Sequence, residues 1–284
     1  MFRQITIIGP GLLGASLAMA VRQNSSATKI VVWARSHQSR EKCRHLNWCD
    51  DIFESPEKAV VDSDFVLLCT PVNVISSLLK TIKPALKTNT LVSDVGSTKR
   101  LICEKAQNLF KDTSAVFIGS HPMAGSEQAG MENARADLFK GAACMLTPMA
   151  GTAAEMTQLL NRFWESLGMR VSVFTPQTHD AIVAHVSHLP HVLASTLCKY
   201  LAEKDSNWQT LGGGGLRDTT RIAAGDPELW KQILEQNRNE ILQAITGFER
   251  KLDELKIALT ENKTEQILEF LEQGKIYRDQ FQQG

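Results

Sequence analysis

Two patterns of apolar residues divide the chain. Up to about residue 174, short β-branched runs alternate with stretches whose apolar residues recur at helical spacing. "QITIIG", "KIVVWA", "DFVLLCTP", "TLVSDVGS", "AVFIGSHP", "GAACMLTP" and "RVSVF" read as buried strands. "GPGLLGASLAMAVRQ", "VNVISSLLKTIKPAL", "TKRLICEKAQNLF" and "AAEMTQLLNRFWESLG" read as the helices between them. Such alternation predicts a mostly parallel sheet with helices on its faces. After residue 174 the pattern is helical, beginning with "TPQTHDAIVAHVSHLPHVLASTLCKYLAE". The longest periodic segment starts at Asp226, a natural N-cap, followed by Pro227 and Glu228 in the first turn. Its stripe, Trp230, Leu234, Asn237, Ile241, Ile245, Phe248, Leu252, Leu255 and Leu259, predicts one helix whose seam runs roughly 45 Å. A seam of that length is expected to meet a second copy of the chain; a helix of an intrachain bundle is the alternative. The expected domains are therefore 1–174, α/β, and 175–284, all-α.

Composition narrows the class. A hydrophobic share of 43% and a charged share of 22% fit a soluble globular protein. The formal net charge of +0 argues against nucleic acid and acidic membranes as partners. The N-terminus has glycine and proline too early for a signal peptide, and no uncharged run reaches about eighteen apolar residues. The 6 cysteines show no C-x-x-C pair and read as reduced thiols, so a cytoplasmic location is expected.

The chemistry starts at Gly9-Pro10-Gly11-Leu12-Leu13-Gly14. This G-x-G-x-x-G follows a strand and opens a helix, the context of a Rossmann dinucleotide site. Gly9 would make the tight turn, Gly11 would admit a pyrophosphate, and Gly14 would let helix and strand approach. Leu12 and Leu13 begin the helix whose free N–H groups face the anion. The second strand ends in "ARSHQSR" and carries no acid for a ribose 2′-hydroxyl. Arg35, Ser36 and Arg40 suit a 2′-phosphate, so NADP is expected over NAD. Thr70, Pro71, Ser93 and Asp94 fall at other strand ends, where such sheets bind ligands. "GSHPMAGSEQAG" sets His121 among small residues, with room for a ring and a substrate. Ser97, on an adjacent strand end, is expected to hydrogen-bond His121 and fix its tautomer.

Later segments add polar groups. His185, His188 and His191 recur at steps of three around Pro190. No acid or cysteine joins them, so a polar pocket is expected and a metal is not. The run Gly212 to Gly215 followed by Arg217, Asp218 and Arg221 reads as a carboxylate-binding corner.

Taken together, "GPGLLGAS", "SDVGSTK", "GSHPMAGSEQAG", "HVSHLPH" and "GGGLRDTTRIAAGDPELW" resemble the prephenate and arogenate dehydrogenases of tyrosine biosynthesis over nearly the whole chain. The resemblance implies oxidative decarboxylation of a cyclohexadienol with hydride transfer to NAD(P), in an intertwined dimer. It implies that His121 deprotonates the ring hydroxyl with Ser97 as its partner. It implies that Arg221 holds a substrate carboxylate, that His188 and His191 line the pocket, and that Trp230 stands near its mouth. Prephenate is the expected substrate, with arogenate as the alternative. Two further alternatives are a β-hydroxyacid or imine dehydrogenase of the same architecture and a non-catalytic dinucleotide-binding protein. The chain ends soon after "TEQILEFLEQGKIYRDQF", so neither a regulatory domain nor a fused chorismate mutase is expected.

Overall fold

β-Branched runs bury well on both faces of a parallel sheet, and here they do so. The structure, a computed structural model, describes residues 2–125 and 130–281. Its strands are β1 (Phe2–Ile8), β2 (Ala27–Trp33), β3 (Asp51–Phe53), β4 (Phe65–Leu68), β5 (Leu91–Asp94), β6 (Val116–Phe117), β7 (Gly119–Pro122), β8 (Ala143–Thr147) and β9 (Arg170–Val173). Among the described residues, six strands pair in parallel in the order β3-β2-β1-β4-β5-β6. That order places the chain reversal between β1 and β4, where dinucleotides bind in doubly wound sheets.

Alternate residues point to opposite faces. Ile5 and Ile7 of β1 and Phe65 and Leu67 of β4 join one core cluster; Ile8, Val66 and Leu68 join the other. Helices α1 (Leu12–Gln23), α2 (His37–Arg44), α3 (Pro56–Val60), α4 (Val72–Ile82), α5 (Arg100–Phe110) and α6 (Ala154–Ser166) accompany the strands. α1 and α6 cover the first face, where Phe2, Phe65 and Phe163 pack ring to ring and Trp164 is fully buried. α4 and α5 cover the second.

The structure differs from the sequence expectation at three places. β3 has only three residues, too few to give an apolar run, yet it pairs beside β2. "AVFIGSHP" is not one strand. β6 ends the large sheet, while β7 pairs antiparallel with β8 and β8 parallel with β9 in a second sheet. Gly119 begins β7 in a crowded place, since a Cβ there would stand 2.4 Å from Thr147 Oγ1 and 2.8 Å from Cys103 Sγ. The predicted long helix is two, α10 (Pro227–Gln236) and α11 (Arg238–Thr260). Asn237 separates them, buried and with its backbone at φ −107°, because its side chain turns inward to hydrogen-bond other elements.

Between residues 175 and 226 lie α7 (Pro176–Val183), a π-helical turn (Ala184–His188), α8 (Leu189–Ala202) and α9 (Gly214–Thr220). Pro190 sits in the first turn of α8 and lacks an N–H, and the helix widens just before it. Pro176–Ala202 is also long and apolar enough to pass a hydropathy test for a membrane span, with 28% of its window buried. It nevertheless carries His179, Asp180, His188 and His191 on buried positions, as a core helix with a functional face would. The chain divides into two compact units, Met1–Arg238 and Asn239–Gly284. The second holds α11 and α12 (Thr264–Phe281), which leave Leu242, Leu252, Ile257, Leu259, Leu268, Leu271 and Ile276 exposed.

Candidate active site

The sheet register lines up the ends of four strands. Ile8 pairs with Trp33 and Leu68, and Leu68 with Asp94. The glycine turn, the Arg35-Ser36 segment, Thr70-Pro71 and the 95–99 loop therefore lie along one edge.

Each glycine of the turn has a distinct physical reason. Gly9 has φ +99°, and a Cβ there would meet Thr70 Cγ2 at 2.9 Å. A Cβ on Gly14 would stand 2.1 Å from the Gly9 carbonyl oxygen, so helix and turn touch backbone to backbone. Gly11 has nothing within 4 Å of its Cβ position. It is the N-cap of α1, no side chain caps that helix, and no acid occupies its first turn. Open space over uncapped N–H groups is what a pyrophosphate needs. Thr70 Oγ1, buried beside the turn without a partner, is a further polar group for the cofactor. These residues fit a dinucleotide.

Four other cofactor candidates already have protein partners. The Arg40 guanidinium is buried and donates to the Ala34 and Arg35 carbonyls, with Glu54 on its far side. It braces the loop after β2. Ser36 caps α2 through Ser39 N. Ser93 is fully buried and donates to the Ile118 carbonyl. Asp94, also fully buried, pairs with Lys99 and accepts from Gly96 N. Both are internal struts. Arg35 stands exposed.

His121 lies on β7, only 7% exposed. Among the described residues its Nδ1 partner is His179, while Ser97, the partner expected from the sequence, stands half-buried in the 95–99 loop. His121 Nδ1 is 2.9 Å from His179 Nε2, and His179 Nδ1 is 2.8 Å from Asp180 Oδ1. Asp180 in turn accepts from the Lys99 and Arg100 N–H groups where α5 begins. Burial, then the neighbouring His179, Lys99 and His188, holds the His121 pKa well below the ordinary histidine value. Burial likewise lowers that of His179, with Asp180 pulling against it.

The pocket histidines are a second group. Burial pushes the His188 pKa down to about 4. Asn237 Nδ2 donates to the Asp180 carbonyl, which fixes the amide orientation, and lies 3.2 Å from His188 Nδ1. His188 Nδ1 is then an acceptor, and its Nε2, buried without a protein partner, carries the hydrogen. His191 stacks flat on Trp230 at 3.5 Å. Gly225 makes room for that pair, since a Cβ there would come within 2.6 Å of Trp230 Nε1. Burial also lowers the His191 pKa, opposed by a backbone hydrogen bond to Ile222. Ile222 follows Arg221, which opens the turn Arg221–Ala224. Arg217 is exposed on α9, a helix that starts inside the predicted glycine loop. Residues 126–129 of the "GSHPMAGSEQAG" motif lie outside the described residues.

The residues missed by sequence reasoning are His179, Asp180, Lys99 and the true role of Asn237. A "His-Asp" pair nine residues before His188 on the same helical run, and an asparagine inside an apolar stripe, were the available signals.

Comparison with known proteins identifies the family. Residues 17–173 match the nucleotide-binding domain of prephenate dehydrogenase, and residues 175–273 match its dimerization domain. The chain is 32% identical to the cyclohexadienyl dehydrogenase of Zymomonas mobilis, over 98% of this chain and 95% of that one. It superposes with a TM-score of 0.92 on prephenate dehydrogenase from A. aeolicus crystallised with hydroxyphenyl propionate and NAD+, at 31% identity and covering 99% of both chains. The Synechocystis arogenate dehydrogenase gives a TM-score of 0.85 at 30% identity, covering 98% of this chain and 99% of that one. With its glycine turn, buried histidine and two matched domains, the chain belongs to the prephenate dehydrogenase family of NAD(P)-dependent oxidoreductases.

Proposed function

We propose that the chain oxidatively decarboxylates prephenate to 4-hydroxyphenylpyruvate, using NADP in preference to NAD, as a cytoplasmic homodimer. The observation that carries this reading is His121, a buried imidazole kept neutral and therefore able to accept a proton. The bound oxidised nicotinamide supplies the hydride acceptor. His121 takes the proton of the ring hydroxyl as its carbon gives up hydride. The new carbonyl then draws the electrons of the ring carboxylate bond, carbon dioxide leaves, and the ring becomes aromatic. His188 Nε2–H and Arg221 supply donors for the substrate carboxylates and keto oxygen, and the flat His191–Trp230 pair supplies a wall.

Prephenate is favoured over arogenate by the donor-rich lining of His188, His191, Arg217 and Arg221, which suits a keto oxygen and carboxylates. The arogenate ammonium would need an acceptor, and leaving it unpaired would cost several kcal/mol. Among the described residues, Asp180 already accepts from two backbone N–H groups and Asp94 Oδ2 is taken by Lys99 and Gly96 N, while Asp94 Oδ1 is buried without a hydrogen-bond partner and Asp218 is exposed on α9 between Arg217 and Arg221 in sequence. NADP is favoured by exposed Arg35 and by the lack of an acid at the end of β2. The dimer reading is supported by the match to a dimerization domain and by the exposed apolar residues of α11 and α12. The test is product analysis. With prephenate and NADP, 4-hydroxyphenylpyruvate, carbon dioxide and reduced cofactor should form in equal amounts. Reduced cofactor without carbon dioxide would point to a different dehydrogenase reaction.

A further inference from the structure

We propose that His179 and Asp180 are positioning residues that hold His121 in its Nδ1–H tautomer, leaving Nε2 as the lone-pair nitrogen that accepts the substrate proton. The proposal rests on the dehydrogenase reading above but can be tested apart from it.

The direction of each hydrogen bond follows from the end of the chain of contacts. Asp180 is fixed first. Its Oδ1 accepts from Lys99 N at 2.8 Å and its Oδ2 from Arg100 N at 3.0 Å. These are the first N–H groups of an eleven-residue helix, where a carboxylate is stabilised as the anion. An anionic carboxylate only accepts, so His179 Nδ1 must donate to it. A neutral His179 then has its lone pair on Nε2. The hydrogen in the 2.9 Å contact between the two rings must therefore come from His121 Nδ1. Neutral His121 is left with its lone pair on Nε2. Had Ser97 been the partner, a hydroxyl could have donated or accepted, and neither tautomer would have been selected.

The surroundings keep the chain of bonds in this state. Both rings are buried, His179 completely. The groups facing them are Lys99 and Asp94 from β5 and the start of α5, His188 from the π-helical turn, and the Cys144 thiol of β8. The Lys99 ammonium disfavours a second positive charge here, so both rings rest neutral. When the substrate O–H bond breaks and a proton arrives on His121 Nε2, the Nδ1–H still points at His179 Nε2. The charge stays on the His121 ring and is stabilised by the hydrogen-bond chain that ends on the Asp180 carboxylate. This resembles the role of a third group that orients a catalytic imidazole, with a second imidazole interposed.

The experiment uses the full chain labelled with 15N-histidine. At pH 8, one- and two-bond nitrogen–proton correlations should report His121 as the Nδ1–H tautomer. In His179→Leu that tautomer should be lost. The kcat of this variant should fall about 10²-fold, with KM for substrate and cofactor within about three-fold of wild type. His179→Gln offers an amide oxygen to His121 and an amide N–H to Asp180. It should restore the tautomer and bring kcat to within about ten-fold of wild type. An Nε2–H tautomer of His121 in the wild type overturns the proposal. So does wild-type kcat in folded His179→Leu, or a Gln variant no better than Leu. If the wild type oxidises neither prephenate nor arogenate, the functional reading fails while the tautomer measurement still decides the relay.

Discussion

Replacing Gly11 and Gly14 by alanine, one at a time, should give opposite phenotypes. At Gly14 the new methyl would stand 2.1 Å from the Gly9 carbonyl oxygen and 3.1 Å from Ile7 Cγ2. Neither the carbonyl nor buried Ile7 can move without opening the turn, so overpacking of about 1–3 kcal/mol is expected. At about 2–4 °C per kcal/mol, the melting temperature should drop by about 2–12 °C. At Gly11 the methyl meets nothing within 4 Å, and φ −73° suits any residue. The smaller unfolded-state entropy of alanine stabilises by about 0.4–1 kcal/mol, and its poorer capping costs a similar amount. Stability should therefore stay within about 1 kcal/mol of wild type. The same methyl would occupy the space reserved for the pyrophosphate. Cofactor affinity should fall about 100-fold, which corresponds to about 2.8 kcal/mol. Thermal melting without ligand, followed by calorimetric titration with NADP, reads both quantities. A Gly11→Ala variant that binds NADP like the wild type would refute the placement of the pyrophosphate.

His121→Asn should fold and bind cofactor normally but lose about 10²–10⁴ in kcat, and its kcat profile should lose the acid limb. Arg221→Ala should raise KM for the substrate and leave that for the cofactor near normal; a charge-assisted contact of about 1.5–3 kcal/mol corresponds to roughly ten- to a hundred-fold. Arg35→Ala should weaken NADP more than NAD in steady-state kinetics, and an unchanged NADP/NAD ratio would contradict the cofactor assignment. Acid should destabilise the protein through His188. The unfolded chain takes up that proton near pH 6.5, whereas the folded site resists it down to about 4. Stability from this group is therefore present above pH 6.5 and is lost as pH falls through that window, by up to about 1.4 kcal/mol per pH unit. Melting curves of His188→Gln should show a flatter slope there than wild type.

Local signals made part of this protein legible. The β1–glycine–α1 unit could be read because turn chemistry and apolar runs specify it within a few residues, with Gly9 at positive φ and Gly14 packed against the Gly9 carbonyl. His121 could be singled out by its small neighbours. Its partner could not, because His179 is 58 positions away and reaches it through tertiary packing. Arg40 is a different case, since its carbonyl partners are nearby in the chain. A guanidinium near a strand end suits a phosphate, but here two backbone carbonyls needed a donor first. Asn237 fell in step with an apolar stripe, and only its bonds to Asp180 and His188 explain why the helix breaks there. Three-residue β3 had no periodicity to read. Propensity and patterning are local, and the bonds of His179 and Asn237 are contacts between distant segments.

The central claim is tested most directly by measuring kcat/KM for prephenate and arogenate, each with NAD and with NADP, by the absorbance of the reduced nicotinamide. The account predicts the largest value for prephenate with NADP. A value for arogenate ten-fold or more above that for prephenate, or no cofactor reduction with either substrate, would contradict it.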